Sequence, residues 1–226
     1  MFHIRYVDTS KHGITDWQSF RPPSGDKMAH IDYFFSTLSP YAYLAGTRLE
    51  AIARKHNATL TYKPLDILGL FSRTGGVPPK DRPISRQEYR IQELTRQSKK
   101  SGLPFNIAPA HWPTNGAPAS YAFIAAQKAG GGDLGKLAHA IFRSVWADDK
   151  DIAQDDVIEA CLSEAGFDPK LAHSGLLSGA EEYAANLEEA VSRGVFGVPF
   201  YITDTDQRFW GQDRLDDLDA YLSGTL

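Results

Sequence analysis

The chain has one cysteine, Cys161, among its 226 residues. One thiol forms no intramolecular disulfide, so a self-contained dithiol redox cycle is excluded. Cys161 falls on an apolar position of a helical pattern, Asp156-Val157-Ile158-Glu159-Ala160-Cys161-Leu162, and reads as a buried core thiol. Excess positive charge is also missing: the net charge is -4 and basic residues are interspersed with acids, which argues against a nucleic-acid partner. No run reaches the roughly 18 apolar residues of a membrane span. The opening Met1-Phe2-His3-Ile4-Arg5-Tyr6 lacks the basic start and apolar stretch of a signal peptide, so a cytoplasmic location is expected. The seven histidines include no H-x-x-x-H pair and Asp148-Asp149-Lys150-Asp151 lacks ligand spacing, so no metal site is expected. What remains, at 42% hydrophobic and 23% charged, is the composition of an ordinary globular protein.

Residues 1–27 are polar, end in Arg21-Pro22-Pro23-Ser24-Gly25-Asp26-Lys27, show no periodicity, and read as an N-terminal extension. His30-Ile31-Asp32-Tyr33-Phe34-Phe35 reads as a buried strand. Ser39 and Pro40 then give an N-cap and a first helical residue, a helical pattern runs from Tyr41 to His56, and a second strand follows at Thr59–Leu65. This is a βαβ unit. After the loop Gly75-Gly76-Val77-Pro78-Pro79, candidate helices are Arg86–Lys99, Ala117–Ala129, Asp133–Ala147, Gln154–Ala165, Pro169–Leu176 and Ser178–Arg193. Val195–Thr203 reads as a strand, Asp204-Thr205-Asp206 as a hairpin turn, Gln207–Trp210 as its partner, and Leu215–Leu222 as a last helix. The expected fold is α/β: a discontinuous thioredoxin-like domain over 28–66 and 195–226, interrupted by an all-helical insertion over 67–194.

The turn Ser39-Pro40-Tyr41-Ala42 lies where a thioredoxin-like redox enzyme carries C-x-x-C, at a helix start that lowers a thiol's pKa. Here Ser39 and Ala42 hold the two cysteine positions, so the turn could stabilise a thiolate that some other molecule brings. Ser39 read alone is equally an ordinary N-cap. Val198-Pro199 opens a strand where such folds keep a cis-proline, which would leave the Val198 main chain free to pair with an extended peptide, although a trans X-Pro is the usual form of such a pair. Asp213, in Trp210-Gly211-Gln212-Asp213-Arg214, could accept from an ammonium group or simply cap a helix.

Taken with Phe34–Leu44, Phe196-Gly197-Val198-Pro199 and Phe209–Arg214, these positions resemble the glutathione-dependent 2-hydroxychromene-2-carboxylate isomerases and the related kappa-class glutathione transferases, which share the DsbA-like fold. The resemblance runs from Ala29 to the C-terminus, and Arg86-Gln87-Glu88-Tyr89-Arg90 and Ala108-Pro109-Ala110-His111-Trp112-Pro113 are similar to the isomerase branch. It implies an isomerase of aromatic catabolism, with glutathione as a nucleophilic cofactor that adds transiently to an unsaturated aromatic carboxylate, and a homodimer. Ser39 would steady the thiolate, Val198 and Pro199 the peptide backbone, and Trp210, Gly211, Gln212 and Asp213 the γ-glutamyl end. Gly76, Arg86, Tyr89 and Trp112 are candidates for the substrate pocket. Two departures stand out: Gly76 replaces an asparagine common in the family, and Gln212 an asparagine or serine. A kappa-class-like transferase and a non-catalytic glutathione- or peptide-binding DsbA-like module are the alternatives.

Overall fold

The computed structural model describes residues 28–226, so the expected extension over 1–27 lies outside the described residues. Four strands form one mixed sheet in the order β2-β1-β3-β4. The central strand β1 (His30–Phe35) pairs in parallel with β2 (Thr59–Pro64), placing Tyr33 opposite Tyr62 and Phe35 opposite Pro64. On its other side it runs antiparallel to β3 (Phe200–Thr203), with Phe34 opposite Phe200, and β3 forms a hairpin with β4 (Arg208–Trp210) in which Phe200 faces Trp210.

Side chains alternate along β1, and the two faces bury different cores. Ile31, Tyr33 and Phe35 join one cluster with Phe123, Phe142, Tyr201 and Trp146, while Phe34 joins the other with Leu70, Ala190, Phe200 and Ile202. Phe35 meets Phe123 and Phe142 edge-on at 5.4 and 5.6 Å, and Tyr33 stacks on Tyr201 at 5.2 Å. Each ring removed from water in this way contributes about 1.5–3 kcal/mol.

The helices before β2 are α1 (Pro40–Leu44) and α2 (Arg48–Lys55). Between β2 and β3 lie α3 (Ile67–Thr74), α4 (Ile84–Ser101), α5 (Ala117–Ala129), α6 (Leu134–Trp146), α7 (Asp155–Glu164), α8 (Leu171–Ser174) and α9 (Leu176–Ser192), and α10 (Leu215–Leu222) closes the chain. The all-helical insertion in an α/β frame is therefore present. It does not stand apart from the sheet. The amide of Gln127 on α5 donates to the Tyr62 carbonyl at 3.0 Å and accepts from its N–H at 2.9 Å, and Asn186 on α9 donates to the Pro64 carbonyl at 3.0 Å. These amides satisfy the open edge of β2, which would otherwise offer unpaired groups to another chain.

Beyond shifts of a residue or two at element ends, the structure departs from the sequence reading in three places. The helix expected from Tyr41 to His56 is two helices, because Gly46 takes a left-handed φ of +59° and Arg48 Nε caps the Ala45 carbonyl at 3.1 Å. The strand expected from Val195 begins at Phe200, since Pro199 has no N–H to give the ladder; Val195 reads as apolar because it is fully buried, not because it is in the sheet. Helix α3 was not anticipated. Its N-cap Asp66 accepts from the Leu68 N–H at 2.9 Å, and its C-cap is Gly75 at φ +79°.

Candidate active site

The register of the sheet gathers the candidate residues at one end. Phe34 opposite Phe200 sets the exit of β1 beside the entry of β3, and Phe200 opposite Trp210 adds the exit of β4. Adjacent strands lie about 4.8 Å apart. Ser39 follows β1 by four residues, Val198 and Pro199 immediately precede β3, and Gly211 to Asp213 follow β4, so all three segments emerge at the same end of the sheet.

Ser39 is the N-cap of α1, with an extended backbone at φ -80° and ψ 117°, and its side chain is buried to 7% exposure. Its Oγ accepts from the Ala42 N–H at 3.2 Å. A hydroxyl has one donor and two acceptor sites, so this bond leaves the Ser39 proton free to donate elsewhere. Pro40 has no N–H and that of Ala42 is taken, which leaves the Tyr41 amide as the open first-turn donor. The loop before it is fixed by Thr37, whose buried hydroxyl donates to the Gly116 carbonyl at 3.1 Å, and by Ser36, whose hydroxyl accepts from the Leu38 N–H at 3.3 Å.

The Val198–Pro199 bond is cis, the form expected for this position. Among the described residues no hydrogen bond uses the Val198 N–H or carbonyl, whereas the Pro199 carbonyl accepts from the Gly211 N–H at 2.9 Å. A half-buried segment with an unpaired donor and acceptor is a ready template for an extended peptide. Beyond it, Gly211 takes φ +106°, and a Cβ there would lie 2.5 Å from Asp213 Oδ1. Glycine thus lets the Asp213 carboxylate fold back over the turn. Gln212 is buried, and Arg48 donates both to its carbonyl at 2.8 Å and to its side-chain oxygen, which ties this turn to the start of α2. Gln212 is therefore an internal anchor, while Asp213 is solvent-facing beside Arg214, at 3.7 Å. Trp210, half exposed, meets Phe196 edge-on at 4.8 Å on the outer rim.

The insertion supplies the facing wall, because α4 packs against α1. Gly76 lies where α3 turns out toward α4, and a Cβ at 76 would sit 2.2 Å from Phe71 Cδ1. The Phe71 ring thus fills the room that an asparagine would need there. Arg86 and Tyr89 both point outward: Tyr89 is 59% exposed and donates to Glu93 at 3.1 Å, and Arg86 is exposed. Trp112 lies against Trp146 at 5.6 Å, with a cis bond to Pro113, and its enclosed indole N–H has no acceptor among the described residues.

Two residues not singled out from the sequence stand on this wall. The Arg90 guanidinium covers the Trp112 ring at 5.6 Å, and the Arg82 guanidinium lies 5.9 Å from the Phe71 ring. Both are half-buried, and burial pulls each guanidinium pKa down. Burial pushes the Tyr41 phenol up, against the pull of Arg90 and Arg82. The signal for Arg90 was available in Leu94, the buried position of α4: at about 100° per residue Arg90 lies about 40° round the helix from it, whereas Arg86 lies about 80° and Tyr89 about 140° away.

Among the described residues no group of histidine, cysteine, aspartate and glutamate could hold a metal ion. What the fold and turn define is a thioredoxin-like protein whose cysteine positions carry Ser39 and Ala42, with an open peptide edge at Val198. Residues 30–223 match the family model of the DSBA-like thioredoxin domain. A 2-hydroxychromene-2-carboxylate isomerase of Sphingobium xenophagum is 30% identical over 200 residues, covering 85% of this chain and 97% of that protein. Glutathione S-transferase kappa 1 of Rattus norvegicus is 24% identical over 206 residues, covering 86% and 90%. The solved structure of a 2-hydroxychromene-2-carboxylate isomerase superposes with a TM-score of 0.70 at 24% identity, covering 86% of this chain and 95% of that one. The chain belongs to the DSBA-like thioredoxin family, in its 2-hydroxychromene-2-carboxylate isomerase branch.

Proposed function

We propose that the protein is a glutathione-dependent isomerase of the 2-hydroxychromene-2-carboxylate type. The observation that carries this reading is a helix-start turn with no sulfur of its own, Ser39 capping α1, at the same end of the sheet as the unpaired main chain of Val198. The residues fit a bound γ-glutamyl tripeptide: Val198 offers one donor and one acceptor to its backbone, Ser39 a free hydroxyl proton to its sulfur, and Asp213 a carboxylate to its ammonium group. The relatives' names support the same choice, since the isomerase and the kappa transferase bracket the two ways such a thiol is used.

Glutathione, when bound, supplies a nucleophilic sulfur that adds reversibly to the unsaturated acid and is regenerated. Ser39 holds that sulfur in its charged form by donating one hydrogen bond, and the Tyr41 amide adds a second. In this reading residues 28–66 and 195–226 carry the glutathione site and residues 67–194 supply the substrate wall, with Trp112 on it and Gly76 at its rim, while Arg86 and Tyr89 face outward from it. The protein acts as a homodimer in the cytoplasm, where thiols stay reduced, as one step of aromatic catabolism. In the described residues no helix is long and apolar enough to cross a membrane.

Incubation with glutathione and 2-hydroxychromene-2-carboxylate tests the proposal. Isomerisation with the glutathione pool intact is the expected result. Consumption of glutathione in step with product would make the protein a transferase, and calorimetry showing no binding of millimolar glutathione would defeat both enzyme readings.

A further inference from the structure

The cations on the inner stripe of α4 and just before it have no counter-charge. Among the described residues neither Arg82 nor Arg90 makes an ion pair, in a chain where Arg48, Arg73, Arg143, Arg193 and Arg208 all bind carboxylates or carbonyls. The Arg82 Nε is used by the Val77 carbonyl at 2.8 Å, which fixes the side chain and leaves its outer N–H groups available. Arg90 makes no hydrogen bond among the described residues and is held only by the Trp112 face. Two half-buried like charges that act on one another and on the same Tyr41 phenol lose hydration without gaining a partner. An anion placed between them would offset both the lost hydration and the repulsion between the two charges. Tyr41 stands two residues from Ser39 on α1, about 3 Å along the helix axis, so both guanidiniums act on the same short helix that the Ser39 turn begins. Trp112 and Phe71 lie behind the two guanidiniums, each ring under one of them, and hold the charges in place.

We infer that Arg90 and Arg82 form the binding site for the carboxylate of the aromatic substrate, with Trp112 as the wall behind it. This rests on the isomerase reading for the identity of the acid but not for the existence of the site. A guanidinium presents paired donors in the geometry of a carboxylate, and two of them beside Tyr41 would fix both the position of the acid and the direction in which its unsaturated carbon faces the sulfur. Arg90 and Arg82 are thus positioning residues for the substrate. The other carboxylate that could reach them is the glycine end of glutathione, and the test separates the two.

The experiment measures binding, which needs no turnover. Chromone-2-carboxylate and chromone-2-carboxamide are planar, unreactive probes that differ in one charge, and their affinities for the glutathione-loaded protein are read by calorimetry. The wild-type protein is expected to prefer the acid. Arg90→Gln is expected to weaken the acid about 10–100-fold, the loss of a charge-assisted contact, with the amide and glutathione changed less than about 2-fold. Arg90→Lys should fall between, and Arg82→Gln should act in the same direction as Arg90→Gln. Unchanged glutathione affinity also certifies that the variants are folded. Equal weakening of acid and amide would reduce Arg90 to an aromatic-stacking role and overturn the inference; so would weakening of glutathione alone, which would assign the site to its glycine end, or an unchanged preference for the acid. A protein that binds the acid through Arg90 but fails to isomerise the chromene would refute the isomerase reading and leave this site standing.

Discussion

Removing the Ser39 hydroxyl separates a cap from a thiolate donor, because the two roles use different parts of the same group. The lone pair takes the Ala42 N–H at 3.2 Å, and the proton is what a thiolate would accept. In Ser39→Ala, loss of the cap costs about 1 kcal/mol, which in a chain of this size lowers the melting temperature by about 2–4 °C whether or not glutathione is present. Loss of the donor appears only in the complex. A hydrogen bond to a charged group is worth about 1.5–3 kcal/mol, so the pKa of the bound thiol should rise by about one to two pH units. The thiolate's ultraviolet absorbance, followed through a pH titration of the saturated complex, reads that change directly, and kcat at neutral pH should fall by a similar factor of about 10–100. Ser39→Thr keeps the hydroxyl and should restore most of both. If Ser39→Ala melted lower but the bound thiol titrated as before, Ser39 would be a cap and nothing more, and the proposed chemistry would lose its central residue.

Other expectations follow from particular contacts. Gly76→Asn drives a Cβ into the Phe71 ring and should cost about 1–3 kcal/mol in denaturant unfolding; Phe71→Ala in the same chain should recover part of it, and an unperturbed Gly76→Asn would show that the ring simply moves aside. The Asp219 carboxyl is held below its usual range by the Lys55 ammonium, at 2.7 and 2.8 Å, and then by His56, at 2.6 Å. A depressed folded-state pKa stabilises above the unfolded value of about 3.9 and is lost as pH falls through the folded one. Asp219→Asn should therefore flatten the acid side of the melting-temperature profile, and an unaltered profile would count against the assignment. Cys161 is 4% exposed, burial pushes its thiol up, and it should resist a disulfide reagent until unfolding; Cys161→Ala should retain isomerase activity, while rapid native labelling with loss of activity would contradict a borrowed-thiol mechanism.

The sheet and the turns at its edge were legible because their signals are local. An aromatic strand, Ser39-Pro40 and Val198-Pro199 each announce a backbone state within a few residues, which is enough to read a βαβ unit and a hairpin, while the registers and the antiparallel pairing of β1 with β3 come from the structure. The pocket wall was harder to read. Arg86, Tyr89 and Arg90 are neighbours in sequence, but α4 turns only one side to α1, and the residue that reveals which side is Leu94, outside the motif itself. Val195 misled for the opposite reason: complete burial in the second core gives an apolar residue the look of a strand when its backbone instead bonds back to Ala190, at 2.9 Å. Helix α3 was hidden because its buried anchor is the single residue Leu70, so the apolar stripe is too thin to declare a period.

The length of α1 bears on where thiolate stabilisation comes from. Five residues rise only about 7.5 Å, so the negative end of this helix stands close behind the positive one and cancels part of its field. The left-handed turn at Gly46 then ends the axis before α2 can extend it. A long helix can hold a thiolate largely through its dipole, but in the proposed complex most of the work would fall on discrete donors, the Ser39 hydroxyl and the Tyr41 amide. That division makes the loss on Ser39→Ala larger than the loss on any change that merely neutralises charge near the helix. It also gives a physical reason for serine at this place: alanine would leave an external thiolate with too few donors, and a cysteine would compete with it for the same ones.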